Sequence, residues 1–423
     1  MKHRRIPLLL LLVGLMASTA AAQDSLTLED AVARALEYNT SVRRQTLSLS
    51  TATRTKDTAW NVLVPTLGAQ AISGKSNIAS SDWTLSGTLS ASLTLSPALV
   101  DGIKAKQLAY EAGTISLDQV RREIERSVRK LWYQLLTTNE QVSVLQASWA
   151  NTLTSLEQTR TRQAAGLASE IDLLNARIKA EDARLKVESA TISYTQGLAS
   201  FRQLIGLPVD STSTFAFGTL DVPETLNSPD MDHLTSDTIR ALVTSIESAR
   251  TSRALSYKQN FLPSLNLSWN WAPTASSADF SEWNDRGSFS AVLGMKLDPF
   301  LPASAARIAL SNAEDTVSDL ELQLQNAQES LKLEVLKLLD SLQSNRAALA
   351  AYQANLALAE RSWELTQEAY RRGTRDLLAL QSAEQALRET RLQLINQNRT
   401  ILETIVDLEY SCGLPFGSLG GTK

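Results

Sequence analysis

The chain runs to 423 residues, with 41 Lys and Arg against 45 Asp and Glu, a formal charge of −4 that argues against general affinity for nucleic acid. Its single cysteine, Cys412, excludes an internal disulfide, and its two histidines leave little material for a histidine metal cluster or a Ser-His triad.

The first 22 residues read as a secretory leader. Lys2, Arg4 and Arg5 precede the apolar run Leu8 to Met16, and Ala20-Ala21-Ala22 offers a small-residue cleavage site before Gln23. No cysteine follows that site, so a lipid anchor is not expected. No later stretch has the roughly 18 consecutive apolar residues that a transmembrane helix needs. His3 leaves with the leader. His233 falls in a Pro/Ser/Asp-rich linker, where a solvated residue is expected. The chain carries no G-x-G-x-x-G, no P-loop and no H-E-x-x-H.

Thr27 with Asp30 three residues on is a capping-box-like start for a short amphipathic helix to about Tyr38. A second helix is predicted from about Ser41 to Asn61, ended by Pro65. Leu67, Ala69 and Ala71 then mark a weak strand, and Gly74 to Asp82 a polar hairpin loop. The stretch from Trp83 to Ser96 alternates Trp, Leu, Gly or Ala at odd positions with Ser or Thr at even ones. Side chains alternate faces along a strand, so one face is apolar and the other carries small hydroxyls. That pattern suits a membrane barrel with lipid outside and a wet lumen, and it also fits strands of a soluble sandwich.

From Ala98 to Leu207 the chain is free of proline for 110 residues. Ile124, Val128, Leu131, Leu135, Thr138, Val142, Leu145 and Trp149 recur at alternating spacings of four and three, a coiled-coil seam with only Thr138 polar. Gly166 marks a break within Gln163 to Ser169. A return helix runs to about Ile205, where Gly206-Leu207-Pro208 stops it.

After a linker the order repeats. A helix is expected over about Asp237 to Asn260. Leu262-Pro263-Ser264-Leu265 then echoes Val64-Pro65-Thr66-Leu67. Two more alternating strands follow, Ser264 to Trp271 and Ser288 to Leu297, joined by a loop from Pro273 to Arg286. A second proline-free stretch, Ala303 to Leu414, carries its seam on Leu320, Leu324, Ala327, Leu331, Val335, Leu338 and Leu342. Gly166 lies 40 residues before Gly206 and Gly373 lies 40 before Gly413, each span ending in Gly-Leu-Pro. The match argues for a tandem duplication. The expected organisation is a leader (1–22), a first repeat (23–208), a linker or equatorial region (209–236), a second repeat (237–415) and a tail (416–423).

Length fixes the architecture. The long helix, Gly102 to Gln163, spans roughly 93 Å, its return helix about 55 Å and the helix before the strands about 31 Å. Each repeat thus supplies two rods of similar length, one continuous and one pieced together, beneath a β-hairpin. The fold class expected is mainly α, with four strands per chain. Four strands do not close a barrel, the smallest needing about eight, and open edges are costly in lipid. Strands of this kind reach a membrane only in an oligomer, eight in a dimer or twelve in a trimer. Trp83, Trp269, Trp271 and Trp283 lie within or near the strands and fit an interfacial aromatic girdle. Trp132, Trp149 and Trp363 lie in the long helices and read as packing residues.

The opening L-T-L-E-D-A-V-A-R-A-L-E-Y-N (Leu26 to Asn39), the duplication and the break motif G-L-A-S-E-I-D-L-L-N-A (Gly166 to Ala176) together resemble a TolC-type outer-membrane efflux protein of the outer membrane factor family. The resemblance covers essentially the whole mature chain, with Thr40 standing where the family usually has Pro. It implies a homotrimer with a 12-stranded barrel in the outer-membrane lipid and a trimeric helical barrel of twelve rods, about 100 Å long, across the periplasm. It implies a passive exit duct for a tripartite pump or type I secretion system, not an enzyme, with no cofactor and no metal. Gly166, Leu167, Ala168 and Ser169 with Gly373 and Thr374 would form the tips that dock a periplasmic adaptor (membrane-fusion) protein, itself joined to an inner-membrane pump of RND, ABC or similar class.

By the same resemblance, Asp172, Tyr370 and Arg375 occupy the positions of the polar links that hold the tip shut. Ala379 and Ser382 stand where some members carry acidic rings, leaving Asp376 as the acid near the tip. Gly166 and Gly373 also have a plain role as helix terminators. The alternative reading is a periplasmic coiled-coil structural protein with a soluble β cap. A hydrolase finds no paired-carboxylate motif.

Overall fold

The structure, a computed structural model, describes residues 25–420 apart from 78–82, 224, 227–233, 235, 277–278 and 285; the side chains of 276 and 279–284 are also left undescribed. The leader and His233 therefore lie outside the described residues.

Helix α1 (Leu28–Tyr38) starts with the expected capping box. The Thr27 hydroxyl accepts from the Asp30 amide, and the Asp30 carboxylate accepts from the Thr27 amide and hydroxyl. Helix α2 (Thr40–Asp57) follows directly, capped by Asn39. It ends sooner than the pattern predicts: Thr58 leaves helical geometry and a 3₁₀ turn over Ala59–Leu63 carries the chain to Pro65, whose ring restricts the residue before it. Helix α3 (Ala98–Ala164) begins four residues earlier than expected, immediately after Pro97, and α4 (Glu170–Leu204) returns. In the second repeat, α5 (Asp237–Phe261) leads to the strands, and α6 (Ala305–Arg371) and α7 (Leu377–Ser411) follow them.

The duplication is metrically strict. Helices α3 and α6 each have 67 residues, and α4 and α7 each have 35. A helix of that length spans about 100 Å. All four end on the same device. Gly166, Gly206, Gly373 and Gly413 take φ between +71° and +76°, and each glycine amide and the one after it donate back to carbonyls of the last turn. This is the Schellman ending, which needs the left-handed conformation that glycine adopts without strain.

Helix α3 packs against α2 and α4 on one side and α5 and α7 on the other, and α6 packs against α5 and α7. Four rods follow in one row: α2 with α4, then α3, then α5 with α7, then α6. This explains why α3 buries Trp132, Leu136, Thr137 and Ser148 as well as Val128 and Leu135 of the expected seam. A rod between two others needs two packed faces, and a single heptad stripe serves only one.

The apolar core sits where the pieced rods are joined. Around Trp132 and Phe201 gather Ala31, Val32, Ala35, Val128, Leu135 and Ile205. Phe215 and Phe217 close over Trp132 with ring centroids 6.4 and 4.8 Å away. Both phenylalanines lie in the 209–236 stretch, whose described part packs on the core: Leu26 bridges to Phe215, and Leu220 is buried. A second cluster, Leu331, Val335, Leu342, Ile401, Ile405, Leu408 and Cys412, serves the other repeat. Burial raises the Cys412 thiol to a pKa of about 11.

At the first joint Gly206 lies so close to Tyr38 that an added Cβ would meet the tyrosine Cβ at 2.6 Å. At the second, Arg122 of α3 donates to the carbonyls of Glu409, Tyr410, Gly413 and Leu414 and lies 3.6 Å from Asp237 at the start of α5. One guanidinium thus satisfies the end of α7 and ties it to α5, where a cation also suits the helix dipole.

The strands are β1 (Thr66–Lys75), β2 (Trp83–Leu95), β3 (Ser264–Trp271), β4 (Thr274–Ser276), β5 (Asp279–Asn284) and β6 (Gly287–Gly294), all antiparallel. The predicted loop from Pro273 to Arg286 is largely strand. β4 continues β3 in the same register against β2, with Gly87 donating to the Pro273 carbonyl across the break. On the far side, β5 meets β4 where the β6–β3 pairing leaves off, and Ala272 donates to Arg286 between them. The sheet is therefore four strands wide, and proline interrupts the third because it has no amide to give the ladder.

Candidate functional site

Register sets the chemistry of the two sheet faces. Leu67 pairs with Ala91, Ala91 with Trp269 and Trp269 with Phe289. The next row is Ala69, Leu89, Trp271 and Gly287; the rows below hold Leu93, Leu267 and Ala291, then Leu95, Leu265 and Leu293. Odd-numbered residues thus build one apolar face across all four strands. Among the described residues its outer strands stand uncovered: Leu67 is 82% exposed and Leu293 72%.

The even-numbered face is mostly polar, with Ile72 and Val292 as apolar exceptions. Thr66, Ser92, Ser268 and Ser290 stand in one row, and two of its hydroxyl pairs, Thr66 with Ser92 and Ser268 with Ser290, lie 2.7 Å apart. Ser90, Asn270 and Ser288 form the row above. An uncovered greasy face backed by a wet one is the arrangement of a barrel wall in lipid. Among the described residues no helix is long and apolar enough to cross a membrane.

Both edges of the sheet, β1 and β6, pair on one side only among the described residues. They coincide with the ends of the row of rods. β1 leaves from α2, the outer rod on one side, and β6 leads to α6, the outer rod on the other.

The register places the tryptophans at different levels. Trp269 and Trp271 are level with Ala91 and Leu89, whereas Trp83 pairs with Lys75, six residues or roughly 20 Å further along β2. Trp283 lies in β5, its side chain outside the described residues.

At the other end of the molecule the turns at Gly166 and Gly373 form two tips of equal build. Ser169 caps α4 and Asp376 caps α7, its carboxylate accepting from the Ala379 amide at 2.9 Å. Leu167 and Thr374 are exposed. Asp172 closes a capping box with Ser169 at 2.7 Å, and that hydrogen bond, ahead of the charge of Arg162, holds its carboxyl below the usual range. Tyr370 is buried with its hydroxyl 3.4 Å from Thr159 and its ring under Arg162 at 5.0 Å. Within this one subunit Asp172, Tyr370 and Arg375 make no ion pair or hydrogen bond with one another among the described residues.

Sequence reasoning passed over Glu384, on α7 above the tip. It is buried, accepts from Ser148 at 3.1 Å, and borders a cavity of about 300 Å³ with Lys179, Asp182, Lys186 and Arg388. Desolvation raises its pKa, and Ser148 and Arg388 oppose the shift. No local motif marks such a residue; its partner lies 236 positions away.

A sheet that cannot close by itself, greasy outside and hydroxylated inside, carried on helical rods about 100 Å long, defines a channel-forming protein with a membrane-embedded wall and a helical extension. The chain belongs to the outer membrane efflux protein family: the family model matches residues 17–207 and again 234–414, one match per repeat. It is a passive channel of the outer membrane with a long periplasmic helical part, not an enzyme.

Solved structures share the fold. VceC of Vibrio cholerae superposes with a TM-score of 0.78 at 18% identity over 92% of this chain and 96% of VceC. The CmeC outer membrane channel of Campylobacter jejuni gives 0.78 at 16% identity, over 94% of this chain and 87% of CmeC. The open-state MtrE outer membrane channel of Neisseria gonorrhoeae gives 0.73 at 18%, over 93% of this chain and 91% of MtrE. No curated protein sequence matches the chain.

Proposed function

We propose that three copies of the chain assemble into the exit duct of a tripartite pump or type I secretion system. The observation that carries this reading is the coincidence of open edges. The β1 edge and the α2/α4 rod lie on one side of the subunit, and the β6 edge and the α6 rod on the other. A neighbour that pairs β6 with its own β1 also brings its α2/α4 rod against α6. Such a head-to-tail contact closes a ring when the rotation per subunit fits, and three subunits supply twelve strands and twelve rods. Each repeat, 23–208 and 237–415, then contributes equally to barrel and tunnel, with the described parts of 209–236 and of the 416–423 tail at the level of the joints.

The tips at Gly166 to Ser169 and at Gly373 and Thr374 meet the periplasmic adaptor, which links the tunnel to an inner-membrane pump. Asp172 and Arg375 form a charge-assisted link between neighbouring tips, Tyr370 adds a hydrogen bond, and Asp376 is the acid nearest the opening. Trp83, Trp269 and Trp271 meet the lipid interface.

Detergent extraction and planar-bilayer recording test the duct. The expected result is a heat-sensitive trimer, soluble only in detergent, that forms ion-conducting channels. A monomer that stays in plain buffer and conducts nothing overturns the reading in favour of a soluble periplasmic protein.

A further inference from the structure

The two rods at the ends of the row each leave one face bare. Helix α4 buries Ala176, Ala180 and Ala183 on the side that meets α3. Its opposite side carries Ile171, Leu174, Ile178, Leu185 and Ile192 at heptad spacing, and the lower half of α6 carries Leu358 and Leu365; all seven are at least 50% exposed. A stripe with that period is the seam of a coiled coil. The two stripes run in opposite directions and keep step. Counted from the tips, Ile178 lies about 12 Å up and Leu365 about 9 Å, Leu185 about 22 Å and Leu358 about 20 Å, Ile192 about 33 Å and Ala351 about 30 Å. Between the first two of these rungs fall Glu181 on α4 and Arg361 on α6, the one level at which both stripes are charged, and with opposite sign. Glu181 is held by Arg184 at 2.9 Å and Arg361 by Glu364 at 3.1 Å, both pairs at the surface. Exposed pairs of that kind contribute little and exchange partners readily.

We propose that the α4 stripe of one copy packs on the α6 stripe of the next as an antiparallel coil, in which Glu181 of the one pairs with Arg361 of the other to set the register and to restrict the contact to copies of this chain. The inference rests on the ring reading above and adds the side chains by which copies recognise one another. Apolar rungs that repeat every seven residues tolerate a slip of one heptad; a single polar rung does not. Slipped in one direction, Glu181 faces Ala354 and the pair is lost. Slipped in the other, it faces Glu368 and is repelled.

The test uses the detergent-purified full-length chain, with Cys412→Ser so that introduced thiols are the only ones. Leu185→Cys with Leu358→Cys is expected to give covalent trimers under mild oxidation, and Leu185→Cys with Leu365→Cys to run as monomers on denaturing gels. In the unmodified background, Glu181→Arg alone or Arg361→Glu alone is expected to lower the recovery of heat-sensitive trimer about fivefold, and the two together to restore it. Co-expressed with a differently tagged wild type, that double variant should form its own trimers, because a mixed contact sets like charges together. Equal cross-linking of both cysteine pairs, no rescue by the double variant, or free mixing with wild type overturns the inference. A trimer that cross-links at neither pair overturns the seam alone, whereas a wild-type chain that forms no trimer overturns the ring and the seam with it.

Discussion

The side-chain nitrogen of Asn39 donates to the carbonyl of Leu204 at 2.8 Å, across 165 residues of sequence. The oxygen of the same side chain accepts from the Ser41 amide at 2.8 Å. One amide therefore caps the start of α2 and the end of α4, the two helices stacked to make a single rod. Asn39→Ala removes both contacts and is expected to cost about 1–3 kcal/mol, read as a lower thermal midpoint by circular dichroism. Asn39→Asp keeps the cap but cannot donate to Leu204, and should fall between the two.

Thr40 is the first residue of α2, and Asn39 before it has φ −62° and ψ 131°. Proline is well suited to a first helical position, and the residue before it prefers that extended geometry. Thr40→Pro should stabilise the chain by about 0.4–1 kcal/mol by restricting the unfolded state. A fall in the thermal midpoint would show that the Thr40 amide has a partner in the assembled protein.

Leu89 and Ser90 are neighbours in β2 on opposite sheet faces. A lysine on the lipid face near mid-bilayer costs about 2–4 kcal/mol, whereas lumen positions tolerate charge. Leu89→Lys should sharply reduce the heat-sensitive oligomer recovered from outer membranes, while Ser90→Lys should assemble and shift the ion selectivity of the channel. Equal recovery of both would contradict the assignment of faces.

Glu384 gives a pH dependence of known sign. Its pKa is raised in the folded chain by burial, so the folded state holds its proton more tightly than the unfolded one, whose reference value is 4.5. The ionised form costs stability at neutral pH, and that cost is relieved as pH falls through the raised value towards the ordinary carboxylate range. The facing groups are Ser148 on α3, Arg388 on α7, and Lys179, Asp182 and Lys186 on α4. On acidification from neutral pH towards the reference value of 4.5 the wild-type melting temperature should rise relative to that of Glu384→Gln. A constant difference between the two would remove Glu384 as the cause.

Asp172→Ala combined with Arg375→Ala should raise single-channel conductance if these residues link neighbouring tips. Because Asp172 also completes the α4 capping box, Ser169→Ala is the control: it removes the cap and leaves the ion pair. A conductance unchanged in the double variant, or raised equally by the control, would refute the link.

The sequence carried what repeats locally. Alternation through Trp83 to Ser96 exposed the two sheet faces because pleat and burial share a period of two. The Gly-Leu-Pro endings at 206 and 413 located the joints, because glycine and proline each act on the backbone where they stand. Contacts made across the chain left no such trace. Arg122 reaches the Gly413 carbonyl 291 residues away, and Phe215 and Phe217 sit in a stretch whose composition reads as linker. At the tip the candidate residues were nameable, but Asp172 is engaged by Ser169 and Tyr370 by Thr159 and Arg162, which spacing alone does not reveal.

The equal 35-residue span of α4 and α7 constrains how this chain can change. One residue inserted into either would rotate everything beyond it by about 100° and advance it 1.5 Å, throwing the far cap out of phase with its socket. Growth or shrinkage by single codons is thus barred, and only steps near a heptad, made in both halves of the gene together, keep the ends flush. The depth of envelope that such a conduit bridges is accordingly an inherited constant, reset in jumps rather than tuned.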